Sequence, residues 1–307
     1  MLLIGNSLGE LKTLSLNVKN EKKNFKFKNI ISLNGYSIDQ INSDQQGEIF
    51  FGSKLGILAS FDKNRNKLIT NKDVGDKELN VYQTLHNGTI IAFYDNYMRI
   101  WGRVDNSWLF SINKLICGKK FKYILVDKTE RFFLSASFFE NRIYIWNLIG
   151  KKIVLGGKTE LKEFIVCFKG THGNMFSIGT HTGSIYIYSI YGEMIKLFKN
   201  KNSVIDFSKS DLQKAAVWWN RNILFSGKSS GKIELFDIRC NKNISHITGH
   251  SCEISNLAFS GNSIQSNPFL LGSSDIKGNL KLWDVRNEKE LFFQKSVDSK
   301  ITSFCFS

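Results

Sequence analysis

The 307-residue sequence predicts an all-β fold in which four-stranded antiparallel sheets repeat around a ring. One short pattern recurs, made of a turn residue, alternating aliphatic and variable positions, an aromatic residue and a small polar residue. Further short apolar segments, separated by Gly, Asn and Ser, lie between the copies, so each unit supplies about four strands. No long segment carries the 3.6-residue apolar period of an amphipathic helix. Four-stranded units that repeat in this way are typical of the blades of a β-propeller.

The recurring pattern occurs seven times, and its first aliphatic residue returns every 40 to 48 residues. This spacing predicts seven blades within a single domain over residues 1–307. The copies are GELKTLS from Gly9, GILASFD from Gly56, NYMRIWG from Asn96, NRIYIWN from Asn141, GSIYIYS from Gly183, GKIELFD from Gly231 and GNLKLWD from Gly278.

The two ends of the sequence are predicted to share the first blade. LLIGNS, GELKTLSL and NFKFKNI supply its second, third and fourth strands, whereas ITSFCFS at residues 301–307 has the form of an innermost strand. The first blade is therefore expected to combine residues 1–32 with 301–307. Pairing of the chain ends would close the ring and remove free sheet edges.

The middle strands of the predicted blades are suited to burial on both faces. RIYIWNL and KIELFDI are apolar at nearly every position or at every other one, as expected for sheets packed between neighbouring blades. The adjacent Trp218 and Trp219 would form a stacking platform for bases if both were exposed. On a strand they point to opposite faces, which favours burial in two blade interfaces.

The last two repeats resemble those of the WD-repeat family. They read GKSSGKIELFDIR, then Gly249 and His250, then GSSDIKGNLKLWDVR. In that family a loop His, a strand Ser or Thr, a turn Asp and the strand Trp form a structural hydrogen-bonded network. The resemblance implies that His250, Ser273 or Ser274, Asp275 and Trp283 take those parts.

The net charge of +15 has two explanations. A basic surface attracts acidic partners, including the phosphates of RNA. The excess of Lys over Arg and the abundance of Asn, Ile and Phe also fit codon drift in an AT-rich genome, with the charge serving solubility. The local basic runs lie where strand ends and loops are expected, at residues 19–28, 118–122 and 196–201.

The sequence contains no pattern that indicates an enzyme or a cofactor. GGKT at Gly156 and GKS at Gly227 lack the first glycine of a P-loop and lie between predicted strands. The five cysteines are scattered singly, which favours reduced structural thiols over a disulfide framework or a metal site. No segment resembles a secretory signal or a membrane span. We expect no cofactor, no metal and no membrane partner, and a nuclear or cytoplasmic location, with the nucleus favoured.

Loops on one face of the propeller are the first place to expect partner contacts. This face carries the turns between the second and third strands and the connections between blades. The candidates placed there by location alone are Asn96, Asn141, His181, Thr182, Ser229, Ser230 and Asp275.

Residues 121–260 also resemble Fizzy-type activators of the anaphase-promoting complex, which bind degradation motifs on their propeller. The resemblance rests on YILVDKTERFFLSASFFENRIYIW, FSIGTHTGSIYIY and VWWNRNILFSGKSSGKIELFDIR with GHSCEI. It implies that Asp127 meets a basic side chain of a degradation motif.

Two further functions fit the fold. FDIR and WDVR resemble the tandem motifs of cullin substrate receptors, which implies that Arg239 and Arg286 contact an adaptor. A basic propeller of this size also fits a nuclear assembly factor for ribosomes or RNA processing, in which RNA contact accompanies protein binding. The function expected first is a noncatalytic protein-interaction scaffold, monomeric within a larger complex and of the assembly-factor kind. A ubiquitin-ligase receptor is the first alternative, and an enzyme on a propeller scaffold is the least favoured one.

Overall fold

The structure is a computed structural model. It describes the chain except for residues 20–21, 34–35, 44–47, 63–66, 72–77, 86–88, 96, 105–106, 116–119, 128, 138–140, 150–151, 171–174, 200–212, 241–242, 261–268, 288, 295–298 and 307. The described residues form seven four-stranded antiparallel sheets and contain no helix, so the predicted fold class is confirmed.

Each sheet is one blade, and its strands follow one another from the centre of the ring outwards. Blade 1 contains β1 (Leu2–Asn6), β2 (Glu10–Lys19) and β3 (Lys22–Ser32), and blade 2 contains β4 (Gln40–Ser43), β5 (Glu48–Gly52), β6 (Leu58–Asp62) and β7 (Lys67–Asn71). Blade 3 contains β8 (Leu79–Thr84), β9 (Ile90–Tyr94), β10 (Tyr97–Val104) and β11 (Ser107–Leu115), and blade 4 contains β12 (Phe121–Val126), β13 (Phe132–Ser137), β14 (Arg142–Ile149) and β15 (Lys152–Glu160). Blade 5 contains β16 (Ile165–Gly170), β17 (Met175–Thr180), β18 (Ile185–Ser189) and β19 (Met194–Phe198), and blade 6 contains β20 (Gln213–Trp218), β21 (Ile223–Lys228), β22 (Lys232–Asp237) and β23 (Asn243–Thr248). Blade 7 contains β24 (Ile254–Phe259), β25 (Leu270–Asp275), β26 (Leu280–Asp284) and β27 (Lys289–Gln294), and β28 (Ile301–Phe306) is the innermost strand of blade 1.

The ring closes through the pairing of β28 with β1. The two strands are antiparallel, with Leu3 opposite Cys305 and Ile4 opposite Phe304. The side chain of Asn6 donates to Ser299 Oγ at 3.0 Å just beyond this pairing. The predicted closure of the first blade by the C-terminal strand is therefore confirmed.

The hydrophobic core consists of seven clusters, each formed by side chains from two neighbouring blades. Trp218 is buried between blades 5 and 6, whereas Trp219 packs between blades 6 and 7. The predicted division of these two tryptophans between two interfaces is confirmed. Because the blades are held together by apolar packing on both faces, the ring positions its loops rigidly.

Antiparallel order gives the ring two distinct faces. We define the upper face by the second-to-third turns of the blades and by the connections from each outermost strand to the next innermost strand. The lower face carries the first-to-second and third-to-fourth connections. In five blades the first glycine of the recurring pattern lies in an upper-face turn with a φ between 80° and 90°, which glycine adopts without strain. These are Gly9, Gly56, Gly183, Gly231 and Gly278.

Candidate functional site

A buried hydrogen-bonded chain joins blades 6 and 7 below the upper face. The indole of Trp283 donates to Ser273 Oγ at 2.8 Å. The same hydroxyl lies 2.7 Å from Nε2 of His250, whose Nδ1 lies 3.1 Å from an oxygen of Asp275. Since Ser273 receives the indole hydrogen, its own hydrogen is available to His250 Nε2, and Nδ1 of a neutral ring donates to Asp275. All four residues implied by the WD-repeat resemblance are thus brought together, with Ser273 in the serine position.

Burial and hydrogen bonding set the charge states of His250 and Asp275 in this hydrogen-bonded network. Desolvation lowers the pKa of His250 despite the hydrogen bond and charge of Asp275, so the ring is neutral near pH 7. Burial alone would raise the pKa of Asp275, but hydrogen bonds from Asn279, Cys252 and His250 outweigh burial and lower it. The neutral histidine and the ionised aspartate match the hydrogen-bond directions in the chain.

Ser274, the alternative in the resemblance, faces a different set of partners. Its hydroxyl lies 3.0 Å from Ser255 Oγ and accepts from the side chain of Asn256 at 3.2 Å. Both partners lie on β24 and line the central channel. Successive strand residues point to opposite faces, so only one of the two serines can reach His250.

Asp275 is a turn residue of the interior and is not available as a partner contact. It is 1% exposed, and its carboxylate accepts from the backbone of Lys277 and Asn279 at 3.0 Å. The Asn279 side chain adds a third donor at 2.7 Å. Asp275 was predicted to face a partner, but its carboxylate is buried and accepts hydrogen bonds from Lys277 and Asn279 of its own turn.

Two other upper-face candidates, Asn141 and His181, form hydrogen bonds with the loop between blades 4 and 5. Asn141 donates from its side chain to the carbonyl of Leu161 at 2.5 Å, and Leu161 N donates to the Asn141 carbonyl at 2.6 Å. The ring of His181 accepts from Phe164 N at 3.1 Å. Both side chains remain half-exposed while they fix the loop between blades 4 and 5.

Glu163 is a carboxylate at this loop that sequence reasoning missed. It accepts from the hydroxyls of Thr182 at 2.5 Å and Tyr186 at 3.1 Å, and also from Thr180. Burial alone would raise the pKa of Glu163, but these three hydrogen bonds leave it below its usual value. Thr182 therefore acts here in positioning a loop. No local pattern marks Glu163, because its donors come from a turn that folding brings beside it.

The remaining upper-face candidates include two serines at the turn between β21 and β22. Ser229 is half-exposed and Ser230 is exposed, and both directly precede Gly231, whose positive φ glycine adopts without strain. Asn96 lies outside the described residues.

Asp127, Arg239 and Arg286 lie on the lower face. Asp127 caps a turn by accepting from Thr129 N at 3.0 Å. Arg239 and Arg286 form the same arrangement on blades 6 and 7, in which Nε donates at 2.9 Å to the aspartate two residues earlier, Asp237 or Asp284. The candidates from the Fizzy-type and cullin-receptor resemblances therefore lie on the opposite side of the ring from the upper-face turns.

The central channel opens at the upper face and encloses about 560 Å³. In six blades the register of the innermost strand shifts by one residue near its upper end, which leaves one extra residue there. Bulges redirect side chains. The extra residues are Thr302, Asn80, Lys122, Val166, Lys214 and Ser255, and four of them line the channel. Sequence patterns of period two do not locate such bulges.

The strings that resemble P-loops are parts of strands. GGKT belongs to β15, and Lys228 of the second string lies at the end of β21, where it is buried and pairs with Glu234 at 3.1 Å. Across the part of the chain that the structure describes, no three His, Cys, Asp or Glu residues are grouped as a metal would need. Within those same residues no helix is long and apolar enough to span a bilayer.

Comparison with known proteins agrees with this architecture. The sequence is 25% identical over 164 residues to the WD repeat-containing protein slp1 of Schizosaccharomyces pombe. The resemblance to WD-repeat proteins is confirmed. The match covers 53% of this chain and 31% of slp1, so this chain spans about a third of the length of that relative. No family model matches the sequence.

Comparison with a solved structure supports the fold alone. The crystal structure of Chaetomium thermophilum Sqt1 bound to the N-terminus of the ribosomal protein L10 superimposes with a TM-score of 0.67. The superposition covers 96% of this chain and 87% of Sqt1, at 12% sequence identity.

Proposed function

We propose that this WD-repeat chain is a noncatalytic scaffold that binds a segment of a protein partner across its upper face. The observation that carries the proposal is the channel of about 560 Å³ that opens among the ordered turns of this face. Sqt1, which has the same fold, was crystallised with the N-terminus of a ribosomal protein. A propeller that receives one chain terminus is a precedent for this mode of binding.

The upper-face loops are suited to recognition because they are held in place before a partner arrives. The hydrogen bonds from Asn141 to Leu161 and from Phe164 to His181 hold two upper-face turns against the loop between blades 4 and 5. Binding to a preorganised surface loses less conformational entropy than binding to a mobile one. Rigid upper-face turns therefore favour a binding platform.

The finer proposal is an assembly factor for ribosomes or RNA processing, present as one copy within a larger complex and acting in the nucleus. The net charge of +15 and the likeness to Sqt1 support it. The test is purification of the tagged protein from its native extract, with and without ribonuclease and at low and high salt, followed by mass spectrometry. Ribonucleoprotein components that depend on nuclease or salt support this proposal. Their absence under all four conditions counts against it.

A matched pair of variants tests the face. Ser230→Arg adds a bulky charge to the upper face, and Asn287→Arg adds the same side chain to an exposed turn of the lower face. We expect Ser230→Arg alone to release the co-purified proteins while both variants melt like the wild type. Release by Asn287→Arg alone would place the binding surface on the lower face.

A ubiquitin-ligase receptor is the second candidate function, and the lower face favours it. Arg239 and Arg286 share one geometry on successive blades, and the match to slp1 adds a Fizzy-related resemblance. The same purification decides this candidate. Recovery of ligase subunits that resists ribonuclease and is lost in an Arg239→Ala, Arg286→Ala double variant would support it, and recovery of no ligase subunit would exclude it.

A further inference from the structure

The mouth of the central channel is lined by lysines from three different blades. Lys122 of blade 4 and Lys214 of blade 6 are the extra residues of equivalent bulges, and both line the channel. Lys54 reaches the same mouth from the upper turn of blade 2. Three cations from three blades therefore surround one opening, although they are far apart in the sequence.

The electrostatics show that these lysines lie near one another. The pKa of Lys122 is lowered by burial first, and then by the positive charges of Lys54 and Lys214. Two carboxylates stand among them: Glu253 pairs with Lys214 at 3.5 Å, and Asp39 accepts from the backbone of Lys54 at 2.7 Å. The mouth is thus a ring of mixed charge with an excess of lysine.

The wall of the channel adds hydrogen-bond donors that have no acceptor among the described residues. They are Asn42 Nδ2, Asn80 Nδ2 and Ser303 Oγ, on the innermost strands of blades 2, 3 and 1. Ser303 is 8% exposed. A buried donor without an acceptor is costly, so such groups call for water or a ligand that brings acceptor atoms. The lysines and the donors without an acceptor together favour a ligand that carries negative charge and several hydrogen-bond acceptors.

We propose that the channel mouth binds an acidic peptide segment whose Asp or Glu side chains enter between Lys54, Lys122 and Lys214. This inference rests on the proposed function and names the chemistry of its partner. Spaced carboxylates can interdigitate with Asp39 and Glu253 at the rim, whereas the continuous phosphates of an RNA strand would meet both of these carboxylates. Apolar wall residues such as Leu79, Val81 and Leu257 suit the aliphatic parts of a peptide.

The test uses the full-length protein and a fluorescein-labelled peptide of alternating Glu and Ala residues, with binding followed by fluorescence anisotropy at low salt. A peptide with Gln in place of Glu and an oligouridylate of equal charge are the comparison probes. We expect the Glu peptide to bind, and the variant Lys122→Gln, Lys214→Gln to weaken its affinity at least about tenfold. The control variant Lys28→Gln, Lys158→Gln removes two exposed lysines from outermost strands and should change the affinity less than about twofold.

The inference is wrong if the wild type does not bind the Glu peptide, and three further results would also overturn it. They are equal weakening by the control variant, equal binding of the Gln peptide, and tighter binding of oligouridylate with the same dependence on Lys122 and Lys214. Thermal melting of both variants checks that they fold. Should the double variant misfold, Lys54→Gln, an exposed turn substitution, takes its place and should still weaken the Glu peptide.

Failure of this inference is distinguishable from failure of the proposed function. If the wild type retains its co-purified proteins but does not bind the Glu peptide, the acidic-segment inference is wrong and the scaffold proposal stands. If the wild type retains no protein partner, the scaffold proposal fails as well.

Discussion

The hydroxyl of Ser273 accepts the indole hydrogen of Trp283 at 2.8 Å, inside the interface between the last two blades. Blade 4 repeats this relationship, since Trp146 donates to Ser135 Oγ at the same distance of 2.8 Å. Of these two pairs, the blade 7 pair continues, among the described residues, to a histidine and an aspartate. The hydrogen bond between the strand Trp and the strand Ser therefore recurs in blades 4 and 7.

Ser273→Ala should destabilise the fold by about 1–3 kcal/mol, because the buried indole of Trp283 and His250 Nε2 both lose their partner. The matched control is Ser251→Ala, which removes an exposed hydroxyl. Urea unfolding followed by tryptophan fluorescence measures the difference. Equal midpoints for the two variants would show that the Ser273 hydrogen bonds contribute nothing to stability.

Stability should fall as the pH drops below about 6.5, the ordinary pKa of histidine. Burial lowers the pKa of His250, so between the folded and unfolded pKa values the unfolded chain binds more protons. Stability from this group is therefore present above pH 6.5 and is lost as the pH falls towards the folded pKa. We expect His250→Gln to be less stable at pH 7.5 but to lose this part of the pH dependence. His246→Gln, at an exposed position, should keep the wild-type slope. An unchanged slope in His250→Gln would contradict the assignment of the neutral ring.

Phe304→Ala should weaken ring closure by about 3–5 kcal/mol. Phe304 is 8% exposed on β28 and packs between blades 7 and 1. Phe293→Ala makes the same change at a side chain that is 49% exposed on the outer strand of blade 7, and its cost should be much smaller. Thermal melting of the two variants compares them directly. Similar losses would mean that the closing strand has no special role in stability.

Gly249→Ala should be destabilising by about 1–3 kcal/mol, because its new Cβ would lie 2.7 Å from Cζ2 of Trp283. Gly157→Ala provides the contrast, since there the nearest atom, Cδ1 of Ile145, is 3.9 Å away. Chemical denaturation of both variants measures the effect. A loss in Gly157→Ala as large as in Gly249→Ala would point to backbone conformation and not to the contact with Trp283.

The fold could be predicted from the sequence because the residues that determine it are close together in the sequence and recur in each repeat. The turn residue of each repeat, the apolar middle strands and the form of the last strand are all readable within a few residues, and so is the division of Trp218 from Trp219. The network residues His250, Ser273, Asp275 and Trp283 followed from a family resemblance, whereas the choice between Ser273 and Ser274 required the strand register.

The residues of the channel mouth could not be predicted from the sequence in this way. Lys122 and Lys214 reach the channel only because a bulge shifts each strand by one residue, and Lys54 joins them through closure of the ring. The same limit explains Asp275, which sequence reasoning placed on an exposed turn. Its burial depends on donors from its own turn and from His250 of the preceding loop.

Site-specific photo-crosslinking in the native extract tests whether a protein partner binds at the upper face, beside the channel mouth. A photoreactive residue would replace Ser230 on the upper face, Arg239 on the lower face or Ile195 on an outer strand, and the crosslinked proteins would be identified by mass spectrometry. We expect a protein partner to crosslink at position 230 and not at positions 239 or 195. Crosslinks confined to position 239 or to position 195 would contradict it, because the partner would then bind away from the channel mouth.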